Sequence, residues 1–256
     1  MKKKLFVTSL ALVGFAAVSG SPAHADSDND CSQVPSRSQL KEALTAAREA
    51  ANGGFDLDMW GSIVNRDGVV CAVAFTGDNR GSEWPGSRVI SAQKANTANS
   101  FSLPGLALST ANLWAAVQPG GSLFGLQESN PVNTDVAYKG PSAKFGAPND
   151  PMVGGKIGGV NVFGGGLALY NSSGTLVGAI GVSGDTSCAD HNIAWRARRL
   201  LDMDFVTGGV GAMKDNINYQ GLVPVPSLAN DFSHPICKIA GVDGVSAISA
   251  GLPPTQ

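Results

Sequence analysis

The chain has 256 residues, with 18 basic against 20 acidic side chains, a formal net charge of −2 and 43% hydrophobic residues. That length can bury one substantial core, and no charge run or repetitive linker divides it. A mildly acidic chain without a basic patch is a poor electrostatic partner for nucleic acid, and none is expected as a ligand.

Residues 1–25, "MKKKLFVTSLALVGFAAVSGSPAHA", combine three lysines, an apolar run from Leu5 to about Val18 and the small-x-small sequence Ala23-His24-Ala25. This pattern predicts a secretory signal peptide cut before Asp26, and so an exported protein, periplasmic or secreted. The apolar run is shorter than the roughly 20 residues a bilayer span needs. Removing the segment leaves 231 residues and a net charge of −5. Cys31, Cys71, Cys188 and Cys237 are an even set without a Cys-x-x-Cys pair, which in an exported chain predicts two disulfides. Three connectivities are possible. Cys31–Cys71 with Cys188–Cys237 is preferred, because each of those bridges ties a terminal segment to a regular element.

In chain order, "SRSQLKEALTAAREAA" places Leu40, Leu44, Ala47 and Ala51 at helical spacing, which predicts an amphipathic helix capped near Ser36 or Ser38. "MWGSIVNRDGVVCAVAFT" reads as a hairpin turning at Asp67-Gly68. "SRVISAQKANTANSFS" reads as a second helix, with Ile90, Lys94, Thr97 and Phe101 on one stripe. From Leu103 to Gly166 the composition turns to Gly, Pro, Asn and Ser without a sustained period, so few long elements are expected there. The scattered Phe124, Tyr138, Phe145 and Phe163 argue for an ordered functional loop or interface. "LALYNSSGTLVGAIGV" predicts a second hairpin turning at Asn171 to Gly174. A last helix is expected from near Ser187 to about Asp202, burying Ile193, Ala194, Ala197, Leu200 and Leu201.

The junction "GAIGVSGDTSCADHNIAWRARRL" holds most of the chemistry-bearing residues. Gly178, Gly181 and Gly184 are spaced G-x-x-G-x-x-G, which is neither the dinucleotide fingerprint nor a phosphate loop. Ser183 in "GVSGD" departs from the nucleophile elbow, since Asp185 stands where a second glycine is needed. Ser187 and Asp190 have the spacing of a capping box. His191 is expected in the first helical turn, where the positive dipole end favours a neutral imidazole able to accept a metal or a hydrogen bond. Arg196, Arg198 and Arg199 read as a solvated face, or as partners for a ligand's carboxylates. No nucleophile with a base, paired carboxylates or metal-spaced cluster stands out. Any activity would then be cofactor-borne.

The order helix, Asp-Gly hairpin, "KANTA" helix (Lys94 to Ala98) and "GGGLALY…LVGAIGVSGD…AD" (Gly164 to Asp190) resembles the GlcG/HbpS family of haem-binding proteins, which includes the C-terminal domain of PduO-type proteins. The resemblance covers most of residues 37–202. The chain reads as a single domain over 26–256 with its core at 37–202, and its irregular insertion at about 103–166 and C-terminal extension at 205–256 depart from the family. The resemblance implies an α+β fold with an antiparallel sheet flanked by helices. It also implies a homo-oligomer, extracellular haem binding, and a haem-degrading role or a membrane sensor partner. Lys94 and Thr97 fall on the family's Lys-Ala-x-Thr helix, and Asp190 on the acidic start of its last helix. The family's Glu-x-x-Glu pair is missing.

Two readings follow. In the first, haem or a related tetrapyrrole lies beside the "KANTA" helix, with Ile90 and Phe101 as apolar wall, Lys94 and Thr97 as polar contacts, and His191 as the candidate axial ligand. His234, Met152, Met59 and Tyr138 are the alternatives to His191. In the second, the chain is a non-catalytic oligomeric interaction module whose insertion has replaced or closed the groove.

Overall fold

A computed structural model describes residues 30–211, 213–219, 232–238 and 244–256. The signal-peptide reading therefore lies outside the described residues. Among the described residues six α-helices and four strands are formed: α1 (Arg37–Arg48), β1 (Trp60–Asn65), β2 (Val70–Phe75), α2 (Ser87–Phe101), the single-turn α3 (Leu126–Ser129) and α4 (Thr134–Ala137), β3 (Gly166–Tyr170), β4 (Leu176–Ser183), α5 (Ser187–Leu200) and α6 (Val245–Ala250). No described helix is long and apolar enough to cross a membrane.

The strands make one antiparallel sheet in the order β2-β1-β4-β3. Helices lie on both of its faces, which is the α+β arrangement expected. Every residue of β1, β3 and β4 is buried, so these strands read as continuous apolar runs rather than alternating ones. Leu40, Leu44 and Ala47 of α1 and Ile193, Ala194 and Ala197 of α5 pack on one face with Ile63, Ile180 and Val182. On the other face Val89, Ala92, Ala95 and Ala98 of α2 pack with Trp60, Val64, Val73 and Ala179.

The glycine string has a packing role. A Cβ at Gly178 would stand 2.1 Å from the Val64 carbonyl oxygen, and one at Gly181 would stand 1.9 Å from that of Ser91. At Gly184 it would stand 2.2 Å from the Asp58 carbonyl oxygen. Backbone therefore approaches β4 on successive turns of the pattern, and only a missing side chain leaves room.

Local signals fix the element ends. Ser36 caps α1 in a reciprocal capping box with Gln39. Gly68 turns the first hairpin at φ 75°, and Gly174 the second at φ 74°. Two readings of the last helix are corrected. Its cap is Thr186, whose hydroxyl accepts from Ala189 N, whereas Ser187 is already helical and Asp190 turns inward. The helix ends at Leu200, which is 57% exposed, while Leu201 just beyond it packs against the core.

Residues 103–165 form no strand and only short turns of helix, as their composition predicts. They are tied to the core by Arg88, whose buried guanidinium grips Asp150 through Nε at 2.9 Å and lies 3.7 Å over the Phe145 ring. The C-terminal extension is tied by Arg198, bidentate to Asp215 at 2.6 and 2.9 Å, with both side chains fully buried. Arg198 is thus no part of a solvated face. Disulfides join Cys31 to Cys71 and Cys188 to Cys237, the preferred pairing. In the chain-entropy model the second, with a separation of 49 residues, contributes about 4 kcal/mol.

The Gly181→Ala protein is expected to lose at least about 3 kcal/mol through overpacking between α2 and β4. In thermal unfolding this appears as a fall in Tm of about 10 °C for a chain of this size.

Candidate functional site

The "KANTA" helix presents a polar seam to the sheet. Ser91 bonds Ser62 at 2.8 Å, and one turn further Lys94 is 1% exposed. The Lys94 Nζ donates to Asp190 Oδ2 at 2.7 Å and to the Val182 carbonyl at 3.1 Å. Asp190 Oδ1 accepts from the Asp185 amide at 2.9 Å. Helices from opposite faces of the sheet thus meet through one ion pair, at the end where β3 begins and β4 finishes. Burial pushes the Asp190 carboxyl up to about 6 despite the attraction of Lys94.

The strand-entry glycines 164–166 pass through the same corner. A Cβ at Gly164 would meet the Ser187 carbonyl at 2.4 Å, and one at Gly166 the Lys94 carbonyl at 2.5 Å. At Gly165, whose φ is 114°, it would stand 3.3 Å from Lys94 Nζ. The run Gly164-Gly165-Gly166 is a close passage of backbone over a buried charge.

Thr97 is fully buried. Its hydroxyl accepts from the Asn161 amide at 2.9 Å, while Asn96 Nδ2 donates to the Gly159 carbonyl at 2.9 Å. Residues 159–161 therefore lie along the stripe on which Ile90, Lys94, Thr97 and Phe101 were placed. Ile90 and Phe101 are only half-buried at its ends. The insertion covers this face of the helix at Asn96 and Thr97. Cavities lined by described residues lie elsewhere. One of about 400 Å³ is lined by Arg48, Asn52, Gly53, Leu57, Asp185 and Ile193, and one of about 240 Å³ by Gln39, Glu42, Ala46 and Leu200 among others. Neither touches the stripe.

His191 lies on α5 but faces the C-terminal extension. Its Nε2 donates to Asn216 Oδ1 at 3.2 Å, and its buried Nδ1 has no hydrogen-bond partner among the described residues. Burial, then the positive Arg198 and the neighbouring His234, hold its pKa down at about 3, so the imidazole is neutral. The same Asn216 donates to the Ser249 carbonyl at 2.9 Å, and Ser249 Oγ donates to Asn192 at 2.6 Å. His191 is part of the polar seam that docks the extension. His234 is 2% exposed, and Met59 and Met152 are fully buried, whereas Tyr138 is 63% exposed.

One residue passed unnoticed in the sequence. Glu83, in the polar stretch "GDNRGSEWPG", is 6% exposed, and both carboxyl oxygens are closed off from water without a completed hydrogen bond. It lies beside the Ser87 hydroxyl and the Trp60 indole N–H, and burial pushes its pKa up to about 8. At neutral pH it carries a proton.

A family model described as "haem degrading protein HbpS-like" matches residues 36–199, from the cap of α1 to the last turn of α5. The chain belongs to the HbpS-like family. The match spans the sheet, the "KANTA" helix and the Lys94–Asp190 pair, and the extension after residue 199 lies beyond it. No curated protein matches the chain. Among solved structures, a PduOC–haem complex is 23% identical with a TM-score of 0.46, covering 66% of this chain and 94% of that one. A Klebsiella pneumoniae protein, ORFY, is 25% identical at a TM-score of 0.44, with 64% and 86% covered. A double mutant of Streptomyces reticuli HbpS is 16% identical at 0.39, with 76% and 99% covered. Similarities this low leave the functional weight on the family match.

Removing one partner of the buried pair, as in Lys94→Met or Asp190→Leu, should cost about 3–5 kcal/mol, because the remaining charge has no water to return to. The double replacement should recover a large part of that loss, and a chemical-denaturation cycle measures it. A second expectation concerns pH. Glu83 binds its proton more tightly folded than unfolded, so its stabilising contribution is complete below about 4.5 and is lost as pH rises through about 8. His191 and His234, held down at about 3 and about 4, act oppositely, but only below their ordinary value of 6.5. Between pH 6.5 and 8 the protein should therefore lose stability as pH rises, and Glu83→Gln should flatten that slope.

Proposed function

We propose that the protein binds haem or a related tetrapyrrole, as a member of the HbpS-like family. The observation that carries this reading is the family match across residues 36–199, which includes every element bordering the "KANTA" helix. The solved PduOC–haem complex is a relative with that ligand bound, though a distant one. Export, haem breakdown, assembly into a homo-oligomer and coupling to a membrane sensor are the finer parts of the same proposal. The two disulfides agree with an oxidising compartment.

The side chains as held in this structure do not fit a tetrapyrrole against the stripe. Lys94 is committed to Asp190, Thr97 to Asn161 and His191 to Asn216, and Met59 and Met152 are shut in the core. Binding at Ile90, Lys94, Thr97 and Phe101 therefore requires residues 159–161 to leave the helix, which breaks the bonds at Thr97 and Asn96. That covering favours a second reading, a non-catalytic interaction module whose insertion has taken the place of the ligand.

Titration of the purified protein with hemin separates the two. Binding predicts a shifted Soret band that saturates at one ligand per site, and weakens when Phe101 is replaced by alanine. An unshifted Soret band at micromolar protein would sink the haem proposal and leave the interaction module.

A further inference from the structure

The polar cluster beneath the second disulfide has a different chemistry from the stripe. Cys188 Sγ, Cys237 Sγ and a ring nitrogen of His234 lie within 4.8 Å of one another. His234 Nδ1 donates to the Pro235 carbonyl at 2.7 Å, which leaves Nε2 as the basic nitrogen, and Nε2 accepts from the Ser187 hydroxyl at 2.7 Å. Burial holds the ring neutral, with its pKa down at about 4. A histidine whose far N–H is fixed by a backbone carbonyl is in the tautomer and orientation of a metal ligand. Trp114, 6.0 Å away between ring centroids, walls the same corner. His191, close enough to His234 to feel its charge, has a buried Nδ1 without a hydrogen-bond partner among the described residues.

We propose that Cys188, Cys237 and His234 form a redox-gated site for a thiophilic d10 cation, Zn2+ as the model case, closed while the disulfide stands and opened by a dithiol reductant. Cys237 is half-buried and Cys188 fully buried, so the attack falls on Cys237. The reductant's thiolate forms a bond to Cys237 Sγ, and the Cys188–Cys237 bond breaks. Its electron pair leaves on Cys188 Sγ, in the first turn of α5, where the positive helix end stabilises a thiolate. The reductant's second thiol then closes its own disulfide and frees Cys237. Two electrons have passed from the dithiol to the protein, and the dithiol's two protons are released when the cation takes both thiolates. The Ser187 hydroxyl swings off Nε2 while still accepting from the Gly164 amide at 2.7 Å. A Cys2His set leaves the fourth tetrahedral position to water or an outside ligand, which is the pattern of open zinc sites.

The test uses the full chain with Cys31 and Cys71 replaced by serine, so that one disulfide remains, with Co2+ as a spectroscopic probe. After dithiothreitol reduction and removal of the reductant, the protein should take up one Co2+ per chain. Tetrahedral ligand-field bands and sulfur-to-cobalt charge transfer should appear, and Zn2+ should bleach them. The oxidised protein should show neither, and His234→Ala should lose the tetrahedral spectrum. If that background fails to fold, the wild-type chain is reduced with and without Zn2+ and alkylated, and its peptides are mapped. Protection by Zn2+ of Cys188 and Cys237, but not of Cys31 and Cys71, supports the site. Absence of cobalt bands, an unchanged spectrum in His234→Ala, or equal alkylation of all four cysteines overturns it.

Discussion

A lysine ammonium that is 1% exposed must be answered by the protein itself, and the arrangement around Lys94 follows from that need. Asp190 supplies the counter-charge, which fixes where α5 begins relative to α2 although the two helices flank opposite faces of the sheet. The Val182 carbonyl takes a second proton of the ammonium, which ties α2 to the last residues of β4. The chain entering β3 has to slip between these groups, and three consecutive glycines are what fits. The same logic recurs twice with arginine. Arg88 with Asp150 fastens the insertion, and Arg198 with Asp215 fastens the C-terminal extension. Each addition to the core has a buried, hydrogen-bonded ion pair among its ties.

That recurrence explains what could be read in the sequence. Helices α1, α2 and α5 and both hairpins announce themselves through periodicity, Asp67-Gly68 and Asn171 to Gly174, because these signals are local. The disulfide pairing was legible for a related reason, since terminal segments poor in apolar residues need a staple. What stayed hidden depends on distant partners. Asp190 has the spacing of a cap and serves instead as a counter-ion, because a residue some hundred positions earlier brings a charge to it. Arg198 resembles its exposed neighbours until Asp215 folds over it. Glu83 stands in a stretch whose composition reads as solvated loop, and only Trp60 and Ser87, closing on it from β1 and α2, take its water away.

The candidate site was legible as residues and not as a surface. Ile90, Lys94, Thr97 and Phe101 do share a stripe, but helical spacing cannot say what lies opposite, and here the opposite wall is the chain's own segment 159–161. His191 illustrates the same limit. Its position near a helix start favours a neutral ring, and the ring is neutral. The larger cause is its complete burial against a segment that belongs to no family pattern.

The docking of the extension along α5 also bears on the order in which the molecule can be completed. Trp195 Nε1 donates to the Pro253 carbonyl, Arg199 to that of Pro254, and Asn192 accepts from Ser249. One flank of α5 is thus finished only by residues made some fifty positions later. A ribosome releasing the chain from its N-terminus delivers α1, the sheet and α2 first. Helix α5 must then wait, with the indole of Trp195 still unanswered, until residues 249–254 have emerged. Such a late-closing seam keeps the helix from locking early. The last residues act as the latch on a structure whose core is already assembled.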